Sequence, residues 1–505
     1  MPRTSALSRR RLLKLSAAAA GAAALSPAFK LRAYAKESGG APSIAIVGGG
    51  VAGLTAAYRL QEVGAKPVVF EASNRWGGRM LTIYDFYKGM FCELGGEFVD
   101  TNQSDIIDLS KEFGIDMQLL DVAGGANLYF FGGKWYTPKD MVDPDKQAGA
   151  FAPIAEKIAE DAGKLTDEDE NWTDFAHELD KVSLKAYLDQ FRGKAEDWAV
   201  DLLDVAYVGE FGLETKDQSS LNMVDFIATD MSEPFAIFGD SDQALRIKGG
   251  SSTLINALAA ALKDKADMRL GHALTALDVN DGKTTLTLNA PDGTKSETFD
   301  AVILTLPFTK LREVKGLESL DLDPMKLRAI NELSYGTSAK LFSGTTTRVW
   351  LSKNSGLPAP SDGYFYSDLG FQNIWDQSAA QPGEAGILTD FLGGKAGLAD
   401  ESTARKILND GLAKMAPKIA ESLDPQAVAA FFWATYPYTL GGYASAGVGQ
   451  YTTFLDVAAE PAVDGHVQFA GEHTSSEFLG YMNGSVQSGN RASAALVETL
   501  ELKKE

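Results

Sequence analysis

One cysteine in 505 residues rules out an intramolecular disulfide. Four histidines without close pairing, His177, His272, His466 and His473, leave no zinc-type ligand set. Cys92 reads as a small hydrophobe in a strand. Positive charge is scarce: 47 Lys and Arg stand against 68 Asp and Glu, a formal net charge of −21, with the acids spread along the chain. No basic stripe offsets that balance, which argues against nucleic-acid binding. Acidity says little about substrate, because surface charge mainly keeps a protein soluble. Long apolar runs are also missing. The one near the start, LSAAAAGAAAL, is too short and alanine-rich for a stable membrane span. What remains, 45% hydrophobic and 23% charged residues, describes a globular chain long enough for two or more domains, without internal repeats.

The first residues read as an address. Ser8-Arg9-Arg10-Arg11-Leu12-Leu13-Lys14 leads into the alanine-rich run, and Ala33-Tyr34-Ala35 offers a small-residue cleavage site. An ordinary secretory signal also has a basic front. Twin arginines, a weakly hydrophobic core and Arg32 just before the cut favour the twin-arginine route, with its translocase as partner and a periplasmic or secreted destination. That route carries folded cargo and suits a protein that loads a cofactor first. Removing residues 1–35 takes the formal charge from −21 to −28.

After KESGGAPS comes the apolar run Ile44-Ala45-Ile46-Val47, then Gly48-Gly49-Gly50-Val51-Ala52-Gly53, the helical pattern LTAAYRLQEVG, and a strand KPVVF ending at Glu71. Glycine-rich turns are common. Strand, GxGxxG, helix, strand and terminal acid in one unit of about 30 residues is a specific dinucleotide signal. Gly48 permits the tight turn. Gly50, with Val51 and Ala52 opening the helix, brings pyrophosphate to free N–H groups. Gly53 permits close helix–strand packing. Glu71 can accept from both ribose hydroxyls and repels a 2′-phosphate. Next come Glu71-Ala72-Ser73-Asn74-Arg75-Trp76-Gly77-Gly78-Arg79, in which Arg75 and Arg79 flank a Gly-Gly turn able to meet phosphate oxygens.

That extension resembles the flavin amine oxidase superfamily (monoamine, polyamine and L-amino-acid oxidases), which carries FAD. The resemblance continues through Glu93-Leu94-Gly95-Gly96-Glu97, through Arg246-Ile247-Lys248-Gly249-Gly250-Ser251, through MRLGHALTALDV with Leu274 as a cofactor contact, and through FDAVILTLPF. It ends in Phe469-Ala470-Gly471-Glu472-His473 and Gly480-Tyr481-Met482-Asn483-Gly484. In the family these last residues meet the flavin half, with Glu472 at the ribityl or pyrophosphate region and the start of a helix facing the flavin edge that becomes anionic on reduction. The implied fold is α/β: a Rossmann-like, glutathione-reductase-type FAD domain (41–105, 240–312 and 436–500) interleaved with an α+β substrate domain (106–239 and 313–435). Similar folds often dimerise, which leaves a homodimer open.

The resemblance also implies a site. Lys340 matches the lysine that holds a water against flavin N5. Tyr443 and Tyr481 match the walls of an aromatic cage, and Trp433 fits the family spacing to the first wall. The implied reaction moves hydride from the carbon of a neutral amine to flavin N5. Imine hydrolysis follows, and oxygen (giving hydrogen peroxide) or a quinone takes the electrons. Two departures stand out. Where monoamine oxidases place the cysteine that tethers FAD, this chain has Gly442, so FAD is expected to be non-covalent. Where venom-type amino-acid oxidases place a carboxylate-clamping arginine, the stretch reads Gly96-Glu97-Phe98-Val99-Asp100. Glu97 and Glu210 become candidates for a distal ammonium or for structural acids. A primary amine or polyamine is the preferred substrate class. An L-amino acid is the alternative, since an arginine can still arrive from the substrate domain, and another flavoprotein reaction on the same fold comes third.

Overall fold

The computed structural model describes residues 41–120, 124–141, 149–227 and 235–502. The leader read at residues 1–35 lies outside the described residues. Four helices matter most for the site: α1 (Val51–Glu62), α2 (Ser104–Glu112), α3 (Asp197–Phe211) and α4 (Met482–Thr499).

Ile44–Val47 is buried at every position, the pattern of a central strand covered on both faces. It lies at the middle of a parallel five-stranded sheet in the order Asp267–Leu270, Val68–Glu71, Ile44–Val47, Ala301–Leu304, Val467–Phe469. Parallel neighbours need crossovers, and α1 supplies the first. A Cβ at Gly53 would overlap Gly48 O, and one at Gly489 would overlap Ala52 O. Those two glycines let α1 settle against its strand turn and let α4, from the other end of the chain, settle against α1. The side chains of Leu54, Ile255, Ile303 and Val486 close one buried core beneath, each worth about 1.5–3 kcal/mol when fully removed from water. An antiparallel trio, Ala273–Asn280, Lys283–Ala290 and Gly293–Phe299, stands at the side.

The second body is a seven-stranded sheet in the order Leu423–Phe432, Ala339–Thr345, Gly386–Leu392, Asn373–Asp376, Ser361–Ser367, Ala126–Phe131, Lys134–Tyr136. Only the Ser361–Ser367/Ala126–Phe131 pairing is parallel. Helices including Ala152–Ala162 and α3 cover part of it with an aromatic-rich core around Trp198, Tyr207 and Phe151. A small sheet of Phe98–Val99, Leu245–Ile247 and Met117–Leu119 joins the bodies. The architecture is thus α/β, a Rossmann-like body interleaved with an α+β body.

Two boundaries differ from those read in the sequence. The 105/106 cut falls inside α2, whose Ile106 and Leu109 pack in the nucleotide core with Leu54 and Ile255. The 312/313 cut precedes Val314, Leu317, Ile330 and Leu333, all buried against Val47, Phe70 and Leu304. An apolar stripe announces a helix but not the core it joins, so both inserts begin later than the sequence indicates.

Candidate active site

A cavity with about 330 Å³ open to the centres of water molecules runs between the two bodies, from the Gly48–Ala52 turn to Tyr481. At its nucleotide end, Gly48 has φ +114° and a Cβ there would overlap Thr305 Oγ1. Gly50 caps α1, and a Cβ on it meets nothing nearer than Gly78 Cα at 3.9 Å. Free space therefore lies before the helix start, where Val51 and Ala52 line the wall and no acid occupies the first turn. That combination receives an anion.

Glu71 accepts from Gly49 N and Ser73 N, both at 2.8 Å, one on each oxygen, which leaves lone pairs for hydroxyls. Ala72 and Gly78 also line this stretch. Arg75 is steadied by Trp76 O (3.3 Å) and Gly78 O (2.6 Å) beside the Tyr436 ring. Arg79 donates to Gly442 O (2.9 Å) and to Glu472 Oε1 (2.7 Å). Glu472 in turn accepts from Ala444 N (3.2 Å) and Gly480 N (2.8 Å), so it binds three chain segments together while facing the cavity with Gly471. Two candidates lie elsewhere. Gly53 sits beneath the turn and is not among the lining residues, and Leu274 packs against the nucleotide core at a strand irregularity.

Beyond Arg79 the floor is Gly95 and Gly96, whose absent side chains leave room for Arg79 O and for Met482, the first residue of α4. The helix start carries no acid in its first turn. Glycine cradle, open helix N-termini, Glu71 and two arginines at one end, with a bare glycine floor at the other, fit a flavin dinucleotide.

The four residues read as catalytic all line the far half. Lys340 is 5% exposed on a strand buried throughout, and its ammonium donates to Glu93 O (3.1 Å), Gly95 O (2.9 Å) and Glu97 Oε2 (3.3 Å). Trp433 donates its indole N–H to Leu94 O (2.8 Å) and packs on Phe431 and Tyr436. The Tyr443 hydroxyl donates to Glu210 O. The Tyr481 hydroxyl reaches Glu210 Oε1 (3.4 Å) and Ser241 Oγ (3.3 Å).

Glu210, near the end of α3, has its carboxyl pushed up to about 7, chiefly by burial and then by Asp100, against the Tyr481 bond. Burial likewise pushes Asp100 up to about 6, although it accepts from Gln243 N (2.7 Å) and Gln103 Nε2 (2.9 Å). Asn222 and Asn373, both buried, also line this end, each with an amide oxygen lacking a hydrogen-bond partner. Glu97 is different. Lys340, Trp375 Nε1 (3.1 Å) and Gln377 Nε2 (2.7 Å) consume its carboxylate.

Arg75 and Arg79, both at the nucleotide end, are the arginines among the lining residues. The internal segments outside the described residues contain none. Cys92 is fully buried, and burial pushes its thiol up to about 12. Among the described residues no His, Cys, Asp and Glu group is placed to hold a metal, and no helix is long and apolar enough to cross a membrane.

Sequence reading missed much of the far wall of the cavity: Tyr364, Tyr366, Asn373, Trp375 and Phe391. Their signal was alternation. Residues 338 and 340, 364 and 366, and 373 and 375 recur at the two-residue spacing of one sheet face, and Phe391 stands opposite both Lys340 and Asn373. Asn222 gave no such signal.

Among curated proteins, the chain is similar to a nicotine dehydrogenase of Pseudomonas putida, 26% identical over 476 residues that cover 93% of this chain and 91% of that one. It is similar to a flavin-dependent L-tryptophan oxidase of Lentzea aerocolonigenes, 26% identical over 500 residues covering 91% and 98%. Its fold is that of the solved cyclohexylamine oxidase from Brevibacterium oxydans, with a TM-score of 0.76 at 21% identity over 92% of this chain and all of that one. Residues 51–497 match the profile described as flavin containing amine oxidoreductase, which places this chain in that family as an FAD-dependent oxidoreductase acting on amines.

Proposed function

We propose that the protein oxidatively deaminates a primary amine or polyamine. The observation that carries this reading is the chemistry of the far end of the cavity. Glu210 and Asp100 offer acceptors. Lys340, the cation there, has three donors engaged by the chain itself. A substrate rich in N–H donors suits that end, and among the described residues lining it no arginine stands ready for a substrate carboxylate.

When bound, without a covalent tether, FAD would supply the hydride acceptor, with oxygen or a quinone as the final acceptor of the electron pair. Gly442 supports the absence of a tether, since a Cβ there would overlap Ser338 Oγ. Tyr443 and Tyr481 offer ring faces and fixed hydroxyls that orient the amine in a slot kept dry by Trp375, Phe391 and Trp433. Glu210 accepts from an amine N–H, and from a second ammonium in a diamine. Loss of hydride from the amine-bearing carbon leaves an iminium, which water converts to a carbonyl compound and ammonia or a smaller amine. We further propose export by the twin-arginine route. Replacing Arg9 and Arg10 by lysine is expected to retain the protein in the cytoplasmic fraction.

The test is anaerobic mixing of the yellow protein with monoamines, diamines, polyamines and L-amino acids while flavin absorbance is followed. Bleaching by amines supports the reading. Bleaching by L-amino acids alone overturns it in favour of an amino-acid oxidase, and no bleaching overturns both. Release of the yellow colour into the supernatant on acid precipitation is expected for a non-covalent flavin.

A further inference from the structure

Glu97 is only 5% exposed, yet its carboxylate has a complete set of partners. Oε2 accepts from Lys340 Nζ (3.3 Å) and Trp375 Nε1 (3.1 Å), Oε1 accepts from Gln377 Nε2 (2.7 Å), and Arg246 Nη1 lies 3.9 Å away. Arg246 is itself fixed by Gln377 O (2.8 Å), by Ala379 O and by Gln118 Oε1 (3.2 Å). Two of the groups held this way, Lys340 and Trp375, line the cavity, and the Lys340 ammonium lies 5.0 Å from the centre of the Trp375 ring. The remaining donors of Lys340 go to Glu93 O and Gly95 O, the turn from which Glu97 itself projects. A carboxylate so occupied has little left for a substrate cation. A lysine on a flexible stem, buried on a core strand, needs a counter-charge and a fixed geometry to be tolerated.

We propose that Glu97 is a positioning residue: it neutralises Lys340 and sets the Lys340 ammonium and the Trp375 indole in one arrangement beside the glycine floor. It acts through those two side chains and does not bind the amine. Its kinetic consequence rests on the amine-oxidase reading; its structural consequence does not.

The experiment compares holoenzyme carrying Glu97→Gln, Lys340→Met, and both. Glu97→Gln removes the counter-charge of a buried ammonium, so Tm should fall by about 5 °C. Adding Lys340→Met should recover most of that loss. In anaerobic reduction, Glu97→Gln should lower the limiting rate about tenfold while the amine dissociation constant stays within about twofold. The double variant should be no slower than Lys340→Met alone. Independent, additive losses in Tm and rate would overturn the proposal. A weakened dissociation constant with an unchanged limiting rate would also overturn it, by making Glu97 a substrate clamp. If Glu97→Gln fails to fold, Glu97→Asp takes its place: it keeps the charge and shortens the reach. A normal Tm with a slowed limiting rate then supports positioning, and a normal rate overturns it. Should no amine reduce the wild type, the functional reading fails while the Tm coupling still tests the ion pair.

Discussion

The Tyr481 hydroxyl and the Glu210 carboxylate meet at 3.4 Å across 271 residues of chain. The main-chain carbonyl of the same glutamate accepts from Tyr443. One acid therefore connects the residue before α4 to the end of α3 and steadies both tyrosines. Replacing Glu210 by glutamine keeps that geometry and removes the charge. We expect KM for a diamine to rise by the equivalent of about 2 kcal/mol, roughly 30-fold. A monoamine of similar length should change by less than about threefold. Steady-state kinetics on the two substrates measures the difference.

Burial, with Asp100 adding to it, brings the Glu210 carboxyl up to about 7, so the ligand-free site is half neutral there. Only the ionised form pairs with a cation. KM for a diamine should therefore rise as pH falls through about 7, approaching tenfold per pH unit below it. Asp100, raised to about 6, adds a second step further down. A profile of kcat/KM against pH should lose its upper step in the Glu210→Gln variant.

Gly53→Ala should abolish FAD loading. The added methyl would overlap Gly48 O and push α1 off the turn proposed to receive the pyrophosphate. The expected readout is a colourless protein, with a ratio of flavin to protein absorbance below about a tenth of wild type.

Asp390 is 1% exposed in the middle of the large sheet, and neither of its carboxyl oxygens has a hydrogen-bond partner. Burial holds it well above the usual carboxylate range, with Arg405 pulling the other way. The folded chain keeps a proton that the unfolded chain releases near 3.8. Its contribution is therefore most favourable at low pH and is lost as pH rises through the window above that value. Asp390→Leu should remove this slope and gain about 2 kcal/mol at neutral pH, measured as ΔG of unfolding in urea across a pH series.

The nucleotide half was legible because its chemistry is local. Gly48, Gly50, Gly53 and Glu71 stand in one strand–turn–helix–strand unit where each residue type answers a nearby steric or hydrogen-bonding demand. The resemblance then carried Lys340, Trp433, Tyr443 and Tyr481 to the wall of one cavity. The rest depended on tertiary encounters. Glu97 stands four residues after Glu93 in the same motif, and nothing local says that Trp375 and Gln377 will satisfy it. Asn222 reaches the cavity wall with its nitrogen end held by Ala446 O, 224 positions away. Leu274 had a plausible place in its motif, but the strand turns its side chain to the core instead. The domain boundaries failed for a related reason, since Ile106 and Val314 are apolar enough for either core.

The close seat of Gly489 on Ala52 O has a consequence for biosynthesis. The strand–turn–helix unit that opens the nucleotide body is covered on its outer face by α4, which is made much later in the chain. The sheet that carries it waits for Val467–Phe469 to supply its final strand. A nascent chain thus cannot finish the nucleotide body until Met482–Thr499 has been made. The early strand–turn–helix unit therefore depends for its cover on chain that emerges hundreds of residues later.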